Sequence, residues 1–174
     1  MEIKERLIKG NELFQKEMSS NSEMRNLNLS LVNKQSPFCL VITCSDSRVI
    51  PERIFNCDLG DLFVIRTAGN AINEGELASI EYGLEHLNIK CLIVLGHTHC
   101  GAIHAAIHKE KDKYLSPVLD NIFSYICGVV DEKEASIINA KEQAKYIKSK
   151  FLDLDCEIIP ALYDIETNKV TFYE

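Results

Sequence analysis

Apolar residues recur along this chain in two rhythms. Between Glu2 and Met18, the residues Ile3, Leu7, Ile8, Leu13 and Phe14 fall at helical spacing around an interruption at Gly10, which predicts an amphipathic N-terminal helix. Ser19 to Asn33 is polar and rich in Asn and Ser, and reads as a loop or a frayed helix. Short, continuous apolar runs follow at Phe38–Thr43, Leu62–Arg66 and Cys91–Leu95, as strands buried on both faces of a parallel sheet require. Helical stretches separate them: Ile50–Phe55 with Pro51 in its first turn, Glu76–Leu87 with Leu77, Ile80, Leu84 and Leu87 on one face, and Gly101 to about His108. Beyond Ser116, Val118–Val130 and Glu132–Phe151 read as helices, and Glu157–Tyr163 and Val170–Tyr173 as strands about a turn at Glu166–Lys169. Pro160 is expected to confine its strand to the sheet edge or make it leave the sheet early.

Alternation of strand and helix at this pace predicts βαβ units, hence an α/β fold with a mainly parallel central sheet flanked by helices. We expect a single domain over residues 1–174: a helical arm and loop at 1–33, a core at 35–109 and a C-terminal part at 116–174 that ends in an edge strand or hairpin.

Composition narrows the function. A net charge of -7 with scattered Lys and Arg offers no basic stripe for nucleic acid or an anionic membrane surface. No apolar run reaches the length of a membrane span, and the charged Met1–Gly10 is unlike a signal peptide, so a cytoplasmic protein is expected. The seven cysteines are odd in number, and a chain of this size does not need a disulfide scaffold. Cys39, Cys57, Cys91, Cys127 and Cys156 read as structural thiols.

Cys44 and Cys100 differ because each ends or closely follows a strand-like run and stands among polar residues, in Cys44-Ser45-Asp46-Ser47-Arg48 and His97-Thr98-His99-Cys100. Parallel sheets bind ligands at the carboxyl ends of their strands, so the topology brings these two stretches together. Two thiolates and one imidazole suit Zn²⁺, and three protein ligands leave a fourth position for water, as in a catalytic zinc site. Chemistry alone leaves the choice between His97 and His99 open. Asp46 and Arg48 share a side of an extended segment and can form a bidentate pair. That pair would keep Asp46 off the metal and leave its carboxylate to accept a proton from bound water. His104 and His108 read as a solvated helix face. Arg66 is either a surface ion pair with Asp61 or Glu81 or a support for the site.

Cys-x-Asp-x-Arg followed by His-x-x-Cys resembles the β-class carbonic anhydrases, zinc enzymes that hydrate CO₂ to bicarbonate. The resemblance extends through Gly60–Asn70, similar to the family's Gly-(Asp/Glu)-x-Phe-Val-x-Arg-Asn-x-(Ala/Gly)-Asn segment, and through Ser79–Tyr82, and covers about Gln35 to Ala106. It implies Cys44, His97 and Cys100 as ligands of one Zn²⁺ per chain, with Asp46 and Arg48 as the catalytic dyad. It further implies Gln35, Phe63, Ala68, Tyr82 and Gly101 around the substrate, with Gln35 donated across a dimer interface. Zinc-bound hydroxide would then convert CO₂ reversibly to bicarbonate and a proton, in a homodimer or larger even oligomer with interface active sites. Thr67 replaces the family's common Asn. The branch whose aspartate closes the zinc site typically has a Trp where this chain has Val41, so the open, plant-like site is expected. The rival readings are a COS or CS₂ hydrolase on the same fold and a non-catalytic zinc module.

Overall fold

The computed structural model describes residues 2–153 and 155–174, leaving Met1 and Leu154 outside the description. It contains two compact units, one reaching to Ser36 and the other running from Pro37 to Glu174. The first holds two helices, α1 (Ile3–Ser20) and α2 (Ser22–Leu31). The second helix occupies the stretch read as a loop or frayed helix. Its start is set by Asn21, whose side-chain oxygen accepts hydrogen bonds from the N–H groups of Glu23 and Met24 at 3.0 and 3.2 Å. Those bonds satisfy two of the donors that a helix start leaves free, so the Asn that suggested a loop is an N-cap.

The second unit contains β1 (Cys39–Cys44), α3 (Pro51–Ile54), β2 (Leu62–Thr67), α4 (Glu74–Glu81), β3 (Cys91–His97), α5 (Gly101–Ile107), α6 (Ser116–Ile126), α7 (Glu132–Lys150), β4 (Glu157–Asp164) and β5 (Lys169–Phe172). The sheet order is β2-β1-β3-β4-β5, with four parallel strands and an antiparallel edge strand joined to β4 as a hairpin. This is the expected α/β architecture. β1 has β2 on one side and β3 on the other, so the strand order switches there and a crevice opens at the carboxyl ends.

Helices cover both faces of the sheet. Leu40, Ile42, Leu92 and Val94 pack with Ile80 and Leu84 and with Ala140, Ala144 and Ile147 of α7. Val41, Leu95, Ala161 and Tyr163 pack with Val49 and, beside α3, Ile54 and Phe55. Each Val, Leu or Ile among them stabilises the fold by about 1.5–3 kcal/mol on full burial. Thr43 is the polar exception in β1, and its hydroxyl donates to the Leu95 carbonyl at 2.9 Å. After α4 the chain widens into a π-turn at Tyr82–His86, which seats Gly83 against β1; a Cβ there would lie 2.7 Å from Leu40 Cδ1.

Pro160 neither lies on an edge strand nor ends its strand early. It pairs with Val94 in the interior of an eight-residue β4. Its carbonyl accepts from Tyr173 N–H at 2.9 Å, just past the end of β5. In extended backbone N–H and C=O of one residue face the same way, so the missing donor faces the side where the neighbouring strand has ended. The seven cysteines are all free, and Cys127 is exposed rather than packed.

The β4–β5 turn hangs on Asp164, which accepts from the N–H groups of Glu166 and Thr167 at 3.1 and 3.2 Å and pairs with Lys133 Nζ at 2.8 Å. These bonds, the lysine's first, hold its pKa down to about 2 from 3.8. A depressed carboxyl pKa stabilises the fold above the unfolded value and loses that contribution as pH falls through the folded one. Lys133→Met should therefore lower the urea midpoint at pH 5–7, and the deficit should shrink as the pH falls below about 4. Urea titrations at several pH values check this; a deficit independent of pH would contradict it.

Candidate metal centre

Cys44 ends β1 and His97 ends the adjacent parallel β3, so both reach the same end of the sheet. Between His97 and α5 the chain turns through His99, at φ +57°, and brings Cys100 back to the start of the helix. Thr98 ties this turn to β4, with its N–H donating to the Tyr163 carbonyl at 3.0 Å and its hydroxyl accepting from Ile165 N–H at 3.0 Å. The two sulfurs lie 3.9 Å apart. Together with an imidazole nitrogen the ligand atoms fit within 4.8 Å of one another, and all three residues are buried.

The imidazole is oriented for coordination. His97 Nδ1 lies 2.8 Å from the Thr98 carbonyl, a contact that only an N–H donor makes favourable. The proton is thereby placed on Nδ1, leaving the Nε2 lone pair free. Nε2 is fully buried and has no hydrogen-bond partner. An unpartnered buried polar atom costs about 1–3 kcal/mol, which a cation at this position would relieve. The donor set fits Zn²⁺, and the carbonyl behind the imidazole is the usual outer support of a metal-bound histidine. Among the described residues, no fourth Cys, His or carboxylate joins the group. His99, the open alternative, instead lies 3.1 Å from Glu166 through Nε2.

The two sulfurs shift each other in opposite directions. A hydrogen bond from Cys100 lowers the Cys44 thiol pKa from its ordinary value against the opposing effect of burial, aided by the N–H groups of Asp46 and Gly69. The same bond, together with burial, raises Cys100. A divalent cation bound here would displace thiol protons, because the thiolate is the metal ligand.

Asp46 and Arg48 form the bidentate pair, with Nε to Oδ1 at 3.0 Å and Nη2 to Oδ2 at 2.7 Å; the Arg48 backbone N–H adds a bond to Oδ1 at 2.9 Å. The guanidinium also donates to the His99 carbonyl at 3.1 Å, joining the segment after Cys44 to the one before Cys100. Arg48 holds the Asp46 carboxyl well below the usual carboxylate range.

Arg66 is a support, with no surface ion pair to Asp61 or Glu81. It donates to the carbonyls of Cys44, Asp46 and Val49 at 3.2, 2.7 and 2.8 Å, gathering the loop that follows the first ligand. Arg66→Met should leave the sheet intact and weaken metal retention about 10-fold or more. Chelator competition measures this, and parental retention would contradict the support role.

The substrate-side candidates are spread out. Ala68 and Gly69 follow β2, and Gly69 N–H donates to Cys44 Sγ at 3.3 Å. Gly101 opens α5 directly after Cys100, and a Cβ there would meet nothing within 4 Å. Phe63 and Tyr82 stack on each other with centroids 6.1 Å apart. Phe63 pairs with Leu40, four strand residues before Cys44, or roughly 13 Å along the sheet. Gln35 belongs to the N-terminal unit and is exposed. His104 and His108 are exposed and stack at 4.2 Å, with His104 bound to Glu132.

The sequence profile of the carbonic anhydrase family matches residues 39–170, a span that includes Cys44, Asp46, Arg48, His97 and Cys100. The chain belongs to the β-carbonic anhydrase family. Among relatives, a carbonic anhydrase of Synechococcus elongatus is 33% identical over 174 residues, covering 84% of this chain and 63% of its own length. Carbonic anhydrase 2 of Mycobacterium tuberculosis is 40% identical over 104 residues, covering 60% of this chain and 47% of its own. The chain thus spans about half to just under two thirds of these relatives' lengths. Among solved structures, the β-carbonic anhydrase CcaA superposes with a TM-score of 0.81 at 32% identity, over 99% of this chain and 96% of that one. The β-carbonic anhydrase CafA of Aspergillus fumigatus superposes at 0.87 with 23% identity, over 99% and 91%, and attests the fold. Among the described residues no helix is long and apolar enough to cross a membrane.

Proposed function

We propose that this chain catalyses the zinc-dependent, reversible hydration of CO₂ to bicarbonate and a proton, with an open, plant-like site. The observation that carries the reading is the arrangement of Cys44, Cys100 and the unpartnered His97 Nε2 beside an Asp46 engaged by Arg48. A closed, non-catalytic site would need a fourth ligand, and the Asp46 carboxylate is held in its pair with Arg48 instead.

Cys44, His97 and Cys100 would hold the zinc, which when bound would supply the Lewis acidity that makes water a nucleophile near neutral pH. Asp46 stays ionised beside Arg48, and its remaining lone pairs accept a proton from water or orient it by hydrogen bonding. Arg48 keeps that carboxylate away from the metal position and ties it to the His99 loop. CO₂ carries no charge to grip, so small apolar surface at Ala68 and an N–H at Gly101 suit it. Gln35, Phe63 and Tyr82 are proposed to complete the site of a second copy in a homodimer or larger even oligomer. Exposed Ile3, Leu7 and Leu13 on α1 give such a copy apolar surface to cover.

Dialysis against a strong zinc chelator should abolish hydration, and one equivalent of zinc per chain should restore it. Hydration that survives metal removal would contradict the reading. Assaying COS beside CO₂ on the reconstituted protein tests substrate choice, with CO₂ expected to be preferred.

A further inference from the structure

Three fully buried or half-buried amides outside the ligand set converge on one turn beside the metal centre. Asn139 and Gln143 lie one helical turn apart on α7, and each is 0% exposed. Long polar side chains are rarely so completely buried unless their hydrogen bonds are met. Asn139 Nδ2 donates to the Gly69 carbonyl at 2.9 Å. Gln143 Oε1 accepts from Ile72 N–H at 3.1 Å, while its Nε2 donates to Asn121 Oδ1 at 2.7 Å and Asn139 Oδ1 at 3.3 Å. Asn121, on α6, donates in turn to the Ile72 carbonyl at 3.5 Å. The network therefore grips both ends of the Gly69–Ile72 turn.

That turn does not hold its shape unaided. Gly69 and Asn70 are consecutive left-handed residues, at φ +60° and +47°. Left-handed backbone is unfavourable for a residue with a Cβ and persists where the surroundings over-determine it. A Cβ at Gly69 would lie 2.7 Å from Ile122 Cδ1 and 3.0 Å from Ala102 Cβ, so a larger residue there would force these side chains to shift as well as adopt left-handed backbone. The result of the turn is one contact: the Gly69 N–H points at Cys44 Sγ.

We propose that Asn139 and Gln143 are positioning residues for the metal centre, holding the Gly69 N–H on the Cys44 sulfur and so tuning the Cys44–metal bond. The proposal rests on the reading of Cys44 as a zinc ligand. An N–H donated to a thiolate withdraws electron density from sulfur and fixes its direction. Partners behind metal ligands typically contribute 10–100-fold to metal affinity.

The test uses Co²⁺ in place of zinc in the full chain, because cobalt–thiolate charge-transfer absorption reports on the sulfur directly. Asn139→Ala and Gln143→Met are compared with the parent and with Ala144→Gly, which weakens the same helix without touching the network. The two amide variants should shift the charge-transfer band to longer wavelength and release cobalt to a chelator about tenfold faster or more. Ala144→Gly should melt earlier with the parental band and release rate. If Asn139→Ala does not fold, Gln143→Met decides by the same criteria. Amide variants that melt earlier but keep the parental band and release rate would overturn the proposal, leaving these residues a structural role alone. A parent that binds cobalt without a thiolate band removable by Cys44→Ser would overturn the ligand reading, and the proposal with it.

Discussion

His97→Ala is expected to yield a folded protein that holds no zinc and hydrates no CO₂. The substitution removes the nitrogen whose lone pair is buried and unpartnered, so it deletes the ligand without breaking a side-chain hydrogen-bond network beyond the Nδ1–Thr98 contact. Two thiolates 3.9 Å apart remain, too few donors for a tetrahedral metal that keeps one position for water. The rate should fall to that of the uncatalysed reaction, a loss of about 10⁶-fold or more if catalysis here is of ordinary enzymatic size. Elemental analysis for zinc, circular dichroism and stopped-flow hydration on one preparation measure the three parts of this expectation. Full zinc retention in a folded variant would mean that another nitrogen, such as that of His99, serves as ligand.

Asp46→Asn is expected to separate metal binding from catalysis. Asparagine keeps the size of the side chain and leaves all three ligands untouched, so zinc content should stay near one per chain. It removes the negative charge that pairs with Arg48 and the oxygen that accepts a proton, and activity should fall about 10²–10⁴-fold, the usual contribution of a positioned acid or base. Arg48→Ala should also lose activity, because the freed carboxylate can then reach the metal and close the fourth position. A fully active Asp46→Asn enzyme holding its zinc would refute the role assigned to the pair.

The parts of the fold that were legible from sequence are those in which one physical cause dominates. β1 and β3 bury both faces, so their apolar runs stood out, and parallel pairing then brings Cys44 and His97 to one end. The Asp46–Arg48 pair is local and depends on a two-residue spacing. What was hidden depends on partners distant in sequence. Asn21 looks the same whether it breaks a chain or caps a helix, so Ser19–Asn33 read equally as a loop or a frayed helix. Pro160 sits inside the sheet because β5 ends one residue too early to need its N–H. Asn139 and Gln143 read as ordinary polar positions on α7, and their burial follows from the way that helix lies over the Gly69 turn. Arg66 finds its carbonyl partners 17 to 22 residues away, where no periodicity points. For Gly69 the left-handed backbone and the close Ile122 side chain carried no signal beyond the presence of glycine itself.

Stopped-flow CO₂ hydration on protein whose zinc content is determined in the same sample tests the central claim most directly. The account predicts about one zinc per chain and hydration that rises in proportion to zinc occupancy. One zinc per chain with no hydration above the buffer rate would contradict it, leaving the family and the metal centre in place without the activity proposed for them.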